Sequence, residues 1–113
     1  MAKATFVQEG KSVDYTPTAD VVAGAVVVQG DLVAVASLAI TANTLGSLAV
    51  TGVFDFPKAT GTGSGIAAGT KVYWDVAEGK AKADSETGAN KYIGKVVKAA
   101  ADADATVRVS LEQ

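Results

Sequence analysis

Short runs of β-branched and aromatic residues, separated by glycine, asparagine and aspartate, dominate the chain. In "TVRVSL", Val107, Val109 and Leu111 alternate strictly with polar residues, which is the period of a strand with one buried face. Such runs, bounded by turn residues, predict an all-β fold, either a small β-sandwich or a barrel. One hairpin is expected to close near Glu78-Gly79. The candidate strands are Thr5–Val7, Ser12–Tyr15, Val21–Val28, Leu32–Ala36, Ser47–Phe56, Lys71–Asp75, Lys80–Ala83, Tyr92–Val97 and Thr106–Leu111.

One segment, "NKYIGKVVKAAADADA", has a mixed pattern. Lys91, Lys95 and Lys98 fall at helical spacing and the alanines favour a helix, whereas the glycine and the valine pair favour a strand. We expect a strand through Val97, followed by a loop or one helical turn over Ala99–Ala105. A longer helix stays open as an alternative, but the fold is expected to contain a short helix at most.

The first 20 residues differ from the rest of the chain. They hold few large apolar side chains and include a proline and several polar residues. We therefore expect an extended N-terminal arm over residues 1–20 and a single β domain over residues 21–113. Within the arm, Phe6, Val7 and Tyr15 are the expected anchors on a partner protein or on another subunit.

The composition limits how the domain can be stabilised. The chain has 113 residues, enough for one small domain, and although 49% of them are apolar, many of these are alanine and valine and only 6% of the residues are aromatic. It contains no cysteine and no histidine, which excludes disulfides and ordinary zinc sites. We expect no metal and no cofactor, and we expect association into a homo-oligomer, a dimer or a trimer, to complete the thin core.

Charge and hydropathy argue against two classes of partner. The formal net charge is −2 and the pI is about 4.9, which does not suit binding to nucleic acid. Residues 21–40 have the length of a membrane span, but Gln29-Gly30-Asp31 lies at the centre, where an aspartate strongly opposes insertion. No signal peptide is visible in "MAKATFVQEGKS". We therefore expect neither a nucleic-acid nor a membrane partner.

The glycine-rich stretch "GTGSGIAAGTK", residues 61–71, suggests a phosphate-binding loop. Such a loop needs lysine before serine or threonine and a helix after it, because backbone N–H groups surround the phosphate and the lysine reaches it. Here Thr70 precedes Lys71, Ser64 stands where the first glycine belongs, and the next segment is a predicted strand. The stretch is interpreted as a turn, with a nucleotide-binding accessory protein as the alternative.

No catalytic constellation is visible, and we expect no enzyme. Histidine and cysteine are absent, so the usual base and nucleophile pairs cannot form. Asp102 and Asp104 are expected in a solvated loop, and Asp55 is expected to be the outward member of an alternating strand. In "VYW", Tyr73 and Trp74 point to opposite faces, so that one can fill the core while the other meets a partner, and Trp74 is the candidate contact. The alternative is that neighbouring loops cover both side chains.

Six segments in order carry a family resemblance: "FVQEG", "VDYTPTADVVAGAVVVQGDLVAVA", "GSLAVTGVFDFPKA", "GTKVYWD", "NKYIGKVV" and "AAADADATVRVSL". The chain resembles the small phage capsid cement proteins from about Phe6 to Leu111. The most specific pieces are "GVFDFPKA" and "KVYWD", separated by a glycine-rich turn.

The resemblance implies a structural role. Proteins of this kind decorate the outside of a tailed-phage head, bind the expanded shell and clamp neighbouring major capsid protein subunits. The resemblance thus implies a virion protein made in the host cytoplasm, mostly β, oligomeric and without catalysis. A β interaction module on the virion surface, binding glycans or receptors, stays open as a further alternative.

Overall fold

The computed structural model describes residues 3–4 and 11–113 and confirms an all-β fold. Within these residues there are nine strands and no helix, and hence no helix long and apolar enough to cross a membrane. The strands are β1 (Ser12–Tyr15), β2 (Val26–Gln29), β3 (Leu32–Val35), β4 (Gly46–Ala49), β5 (Thr51–Pro57), β6 (Lys71–Asp75), β7 (Lys80–Lys82), β8 (Lys91–Lys98) and β9 (Thr106–Glu112).

The strands form two antiparallel sheets that pack into a sandwich-like fold. The four-stranded sheet has the order β1-β4-β3-β2, and the five-stranded sheet has the order β5-β9-β8-β6-β7. The larger sheet curls, because its two edge strands, β5 and β7, approach each other. The four-stranded sheet covers the curled sheet through β3, which lies against β8.

The main core fills the inside of the five-stranded sheet. Phe56 and Trp74 meet edge-to-face there, with ring centroids 6.0 Å apart, and Phe54 packs against Phe56 at 6.3 Å. The alternation predicted for β9 is confirmed, because Val107, Val109 and Leu111 are all buried. The other buried members of this cluster are Val33, Val35, Ile66, Val72, Ala81, Ile93, Val96 and Ala100.

Strand β3 is buried on both of its faces. Val33 and Val35 belong to the main core, whereas Ala34 and the adjoining Ala36 belong to a second cluster on the other side of the four-stranded sheet. The small side chains leave room for Leu48, Val50 and Ile40, which complete that second cluster.

Two predicted strands are shorter or broken in the structure. Ser47–Phe56 was expected as one strand, but Val50 divides it into β4 and β5, which lie in different sheets. Val21–Val28 is reduced to a bridge between Val21 and Ile40, a turn at Gly24 with φ of 86°, and β2. Both segments keep an apolar pattern through the break, so hydrophobicity alone does not reveal it.

The structure tests the predicted loop or helical turn after β8 and part of the predicted N-terminal arm. Ala99–Ala105 is a loop without a helical turn, so the longer helix is wrong. Of the predicted arm, Ser12–Tyr15 is strand β1 at an edge of the four-stranded sheet, paired with β4. The candidate strand Thr5–Val7 lies outside the described residues, and the domain boundary at residue 20 stays a prediction.

Gly94 marks the closest backbone approach in the five-stranded sheet. A Cβ atom at this position would lie 1.8 Å from the carbonyl oxygen of Ser110 on β9. The pairing of β8 with β6 also shifts register beside Gly94, at Val72/Tyr73. Glycine is therefore required where β8 passes β9.

Gly94→Ala is expected to destabilise the fold by at least about 3 kcal/mol, because backbone atoms must move to admit the methyl group. The measurement is the free energy of unfolding in urea. Gly24→Ala is the matched control: its φ is 86°, but no atom lies within 4 Å of the added Cβ, so it should cost only about 1–2 kcal/mol. Equal losses in the two variants would contradict the argument.

Candidate functional site

The glycine-rich stretch binds a carboxylate of its own chain. The N–H of Gly65 donates to Oδ1 of Asp102 at 2.7 Å, and the N–H of Gly61 and the hydroxyl of Ser64 donate to the Asp102 carbonyl at 2.9 and 3.0 Å. A Cβ atom at Gly65 would lie 2.9 Å from the same Oδ1. The loop is therefore shaped around Asp102.

These contacts favour the ionised form of Asp102. The N–H of Gly65 and then that of Gly63 lower the pKa of this carboxyl below its ordinary value of 3.8, and the positive charge of Lys58 acts in the same direction. Backbone N–H groups in such a concave loop commonly bind anions. Here the anion is internal, so the turn expected from the sequence is confirmed, and no observation supports nucleotide binding.

Lys58 lies buried beneath the same loops, with only 1% of its surface exposed. Its Nζ donates to the carbonyl oxygens of Ala59 and Asp104, both at 2.8 Å. A buried ammonium needs such acceptors. Lys58 thus holds the end of β5 to the loop before β9, and this role was missed from sequence because a lysine after a strand is normally solvated.

Asp55 and Arg108 form an exposed pair on the outside of the five-stranded sheet. They lie directly opposite each other on β5 and β9, with Nε to Oδ1 at 3.0 Å and Nη2 to Oδ2 at 3.3 Å. The hydrogen bond from Arg108 lowers the pKa of Asp55, and Asp55 raises that of Arg108. Asp55 is outward as expected, and its carboxylate forms an ion pair with Arg108.

The β6–β7 hairpin closes at Glu78-Gly79 as predicted, around the buried carboxylate of Asp75. The N–H of Glu78 donates to Asp75 at 3.1 Å and lowers its pKa to about 2, helped by Lys82 at 3.1 Å. Lys82 also contacts Glu78, and both carboxylates raise the pKa of its ammonium. Among residues 3–4 and 11–113, no group of three acidic side chains is arranged to hold a metal ion.

The predicted contact residues lie in different parts of the molecule. Trp74 is in the core with 8% of its surface exposed, and its neighbour Tyr73 lies on the outer side of the sheet. Tyr15 is half-buried on β1 and packs against the second cluster. Phe6 and Val7 lie outside the described residues. The prediction that Tyr73 and Trp74 point to opposite faces of the strand is confirmed. Trp74 is the residue in the core, and Tyr73 is the residue on the outer side.

An apolar cleft lies beside the four-stranded sheet, in the connection between β3 and β4. It has a volume of about 280 Å³ and is lined by Leu38 and Leu45, which are 77% and 66% exposed. Ile40 forms its buried floor. Large side chains this exposed are a common feature of association surfaces.

A comparison with family models shows which family the chain belongs to. The model of the phage cement proteins matches residues 7–111, almost the whole chain. The chain belongs to the phage cement protein family. Membership of this family assigns the chain a structural role in the phage capsid. The structure is consistent with that role, because the fold is an all-β sandwich and the glycine-rich loop binds the Asp102 carboxylate of its own chain. No curated protein and no solved structure gives a significant match to the chain.

Asp102→Asn is expected to lower stability at neutral pH and to change its pH dependence. A carboxyl whose pKa is lowered by folding stabilises the fold above its unfolded pKa, and this contribution is lost as the pH falls through the folded pKa. The difference between wild type and variant should therefore narrow below about pH 4. The measurement is the free energy of unfolding of both proteins in urea, at a series of pH values from neutral to acidic.

The matched control is Asp14→Asn, which removes an exposed carboxylate from β1. It should leave the unfolding free energy nearly unchanged across the same pH range. A difference between wild type and Asp102→Asn that stays constant with pH would show that the charge in the glycine loop does not stabilise the fold.

Proposed function

We propose that this cement protein binds the outer surface of the expanded head of a tailed phage and clamps neighbouring major capsid protein subunits. The observation that carries the proposal is the family match over residues 7–111. The action is purely structural in this proposal, with no reaction and no cofactor. The protein is made in the host cytoplasm and becomes part of the virion.

The structure supports a role in protein contacts. The glycine loop, the strongest candidate for a small-molecule site, is filled by Asp102. The described surface instead offers an exposed apolar cleft and a broad sheet face rich in lysine and tyrosine. Surfaces of this kind suit contact with another protein.

We further propose that the protein acts as a homo-oligomer, a dimer or a trimer. Its core relies on valine and alanine, and Leu38, Leu45 and Val22 are exposed beside the four-stranded sheet. Association would cover such side chains and add to the stability of a small domain.

Direct evidence for the function comes from the composition of phage particles. Gradient-purified particles of the source phage should contain this chain at a copy number comparable to that of the major capsid protein. Particles from a phage lacking its gene should release DNA at a lower temperature, because the shell loses its clamps. Abundance in infected cells together with absence from particles would reject the structural role.

The N-terminal arm gives a second test. Deleting residues 2–9 keeps β1 intact and removes the segment that contains Phe6 and Val7. We expect this deletion to abolish binding to heads while the cooperative unfolding of the β domain is retained, because an added strand or anchor supplies backbone and apolar contacts. Substitution of Lys3 alone is the control for charge in this segment and should leave binding to heads unchanged. Full binding by the deletion variant would contradict the proposed role of the arm.

A further inference from the structure

The register of the five-stranded sheet determines which side chains share its outer side. Phe56, Val107 and Val109 point inward, so their neighbours along each strand point outward. We call the resulting surface the outer face; its central members are Lys71, Tyr73, Tyr92, Lys95, Lys98 and Arg108.

Positive charges lie directly opposite each other on this outer face. Lys71 on β6 is paired with Lys95 on β8, and Lys98 on β8 is paired with Arg108 on β9. Like charges in directly opposed positions destabilise a sheet. All four side chains are exposed, although the whole chain carries a net charge of −2. The positive charge is thus concentrated on one surface of an acidic protein, at a cost to the isolated fold.

The described chain neutralises this charge only in part. Arg108 is paired with Asp55, and Lys98 lies near enough to Asp55 to favour its ionised form. Asp104 lines the same shallow cleft as Lys98. Among the described residues, no carboxylate lies within ion-pair distance of Lys71 or Lys95.

An aromatic pair lies beside the two lysines. The rings of Tyr73 and Tyr92 meet edge-to-face with centroids 5.8 Å apart, and both side chains are half-buried. The hydroxyl of Tyr92 donates to Glu112 at 3.2 Å, which fixes the orientation of its ring. Tyrosine is among the residue types that most often dominate the binding energy at the centre of protein interfaces.

We propose that the outer face docks onto a carboxylate-rich surface of the assembled head, with Lys71 and Lys95 facing its acidic groups and Tyr73–Tyr92 forming the packed centre. This inference rests on the proposed function and names the surface that performs it. The partner is a protein rather than a nucleic acid, because the proposed function places this chain against capsid subunits and because packed tyrosines at the centre of a face are typical of protein interfaces.

The geometry provides a substitution that separates docking from folding. Lys71→Glu places a carboxylate directly opposite Lys95, which replaces a repulsive cross-strand pair with an attractive one. The melting temperature of the free protein should therefore be unchanged or raised, while binding to an acidic surface is weakened. A variant that merely misfolds cannot give this combination.

The experiment measures cosedimentation of the full-length protein with heads purified from a phage that lacks the gene for this chain. Lys71→Glu should weaken binding at least about tenfold, and wild-type binding should weaken as NaCl rises from about 50 to about 500 mM. Lys71→Arg keeps the charge and should bind as wild type. The double variant Gln29→Glu/Thr60→Glu is the matched control, with the same change of net charge at two exposed positions outside the outer face and outside the predicted arm.

The outcomes are distinguishable. If the wild type does not bind the heads, the proposed function fails and this inference fails with it. If the wild type binds and Lys71→Glu binds equally well, the inference is overturned while the cement role stands. Equal losses for Lys71→Glu and for the double control variant Gln29→Glu/Thr60→Glu would overturn it as well, because the effect would then follow net charge rather than the outer face. Saturable binding of duplex DNA that Lys71→Glu abolishes would replace the protein partner with a nucleic acid.

Discussion

Burial of strand β3 on both faces is the constraint on which the two-sheet arrangement depends. Val33 and Val35 pack into the main core inside the curled five-stranded sheet, while Ala34 and the adjoining Ala36 pack into the second cluster. One short strand thus belongs to two hydrophobic layers, and dense packing on both sides leaves little freedom to shift it. Because β3 covers the inner side of the larger sheet, the opposite side of that sheet stays open to solvent and available for contacts.

The fold class could be predicted from sequence because the alternating pattern of β9 and the turn at Glu78-Gly79 are local signals. The break at Val50 could not, because the apolar alternation continues through it while the chain crosses from one sheet to the other. Gly52, with φ of 122°, follows the crossing, but a single glycine within a strand pattern is ambiguous.

The candidate surfaces were harder to predict, because they depend on contacts between distant residues. Asp102 looked like a solvated loop residue, and only the folded chain brings it to Gly65, 37 positions earlier. The opposition of Lys71 and Lys95 likewise requires the register of β6 and β8, which no local pattern specifies. The family resemblance supplied the function without these details, since it rests on ordered segments rather than on contacts.

The place of β9 in the sheet has a consequence for synthesis. Thr106–Glu112 is late in the chain, yet it pairs with both β5 and β8 and so lies inside the five-stranded sheet. Its contact with Thr51–Pro57 spans about half the sequence, and such long-range pairing forms slowly. A nascent chain that stops before residue 106 lacks the strand that joins β5 to the rest of the sheet. Prematurely terminated products therefore cannot form the complete five-stranded sheet.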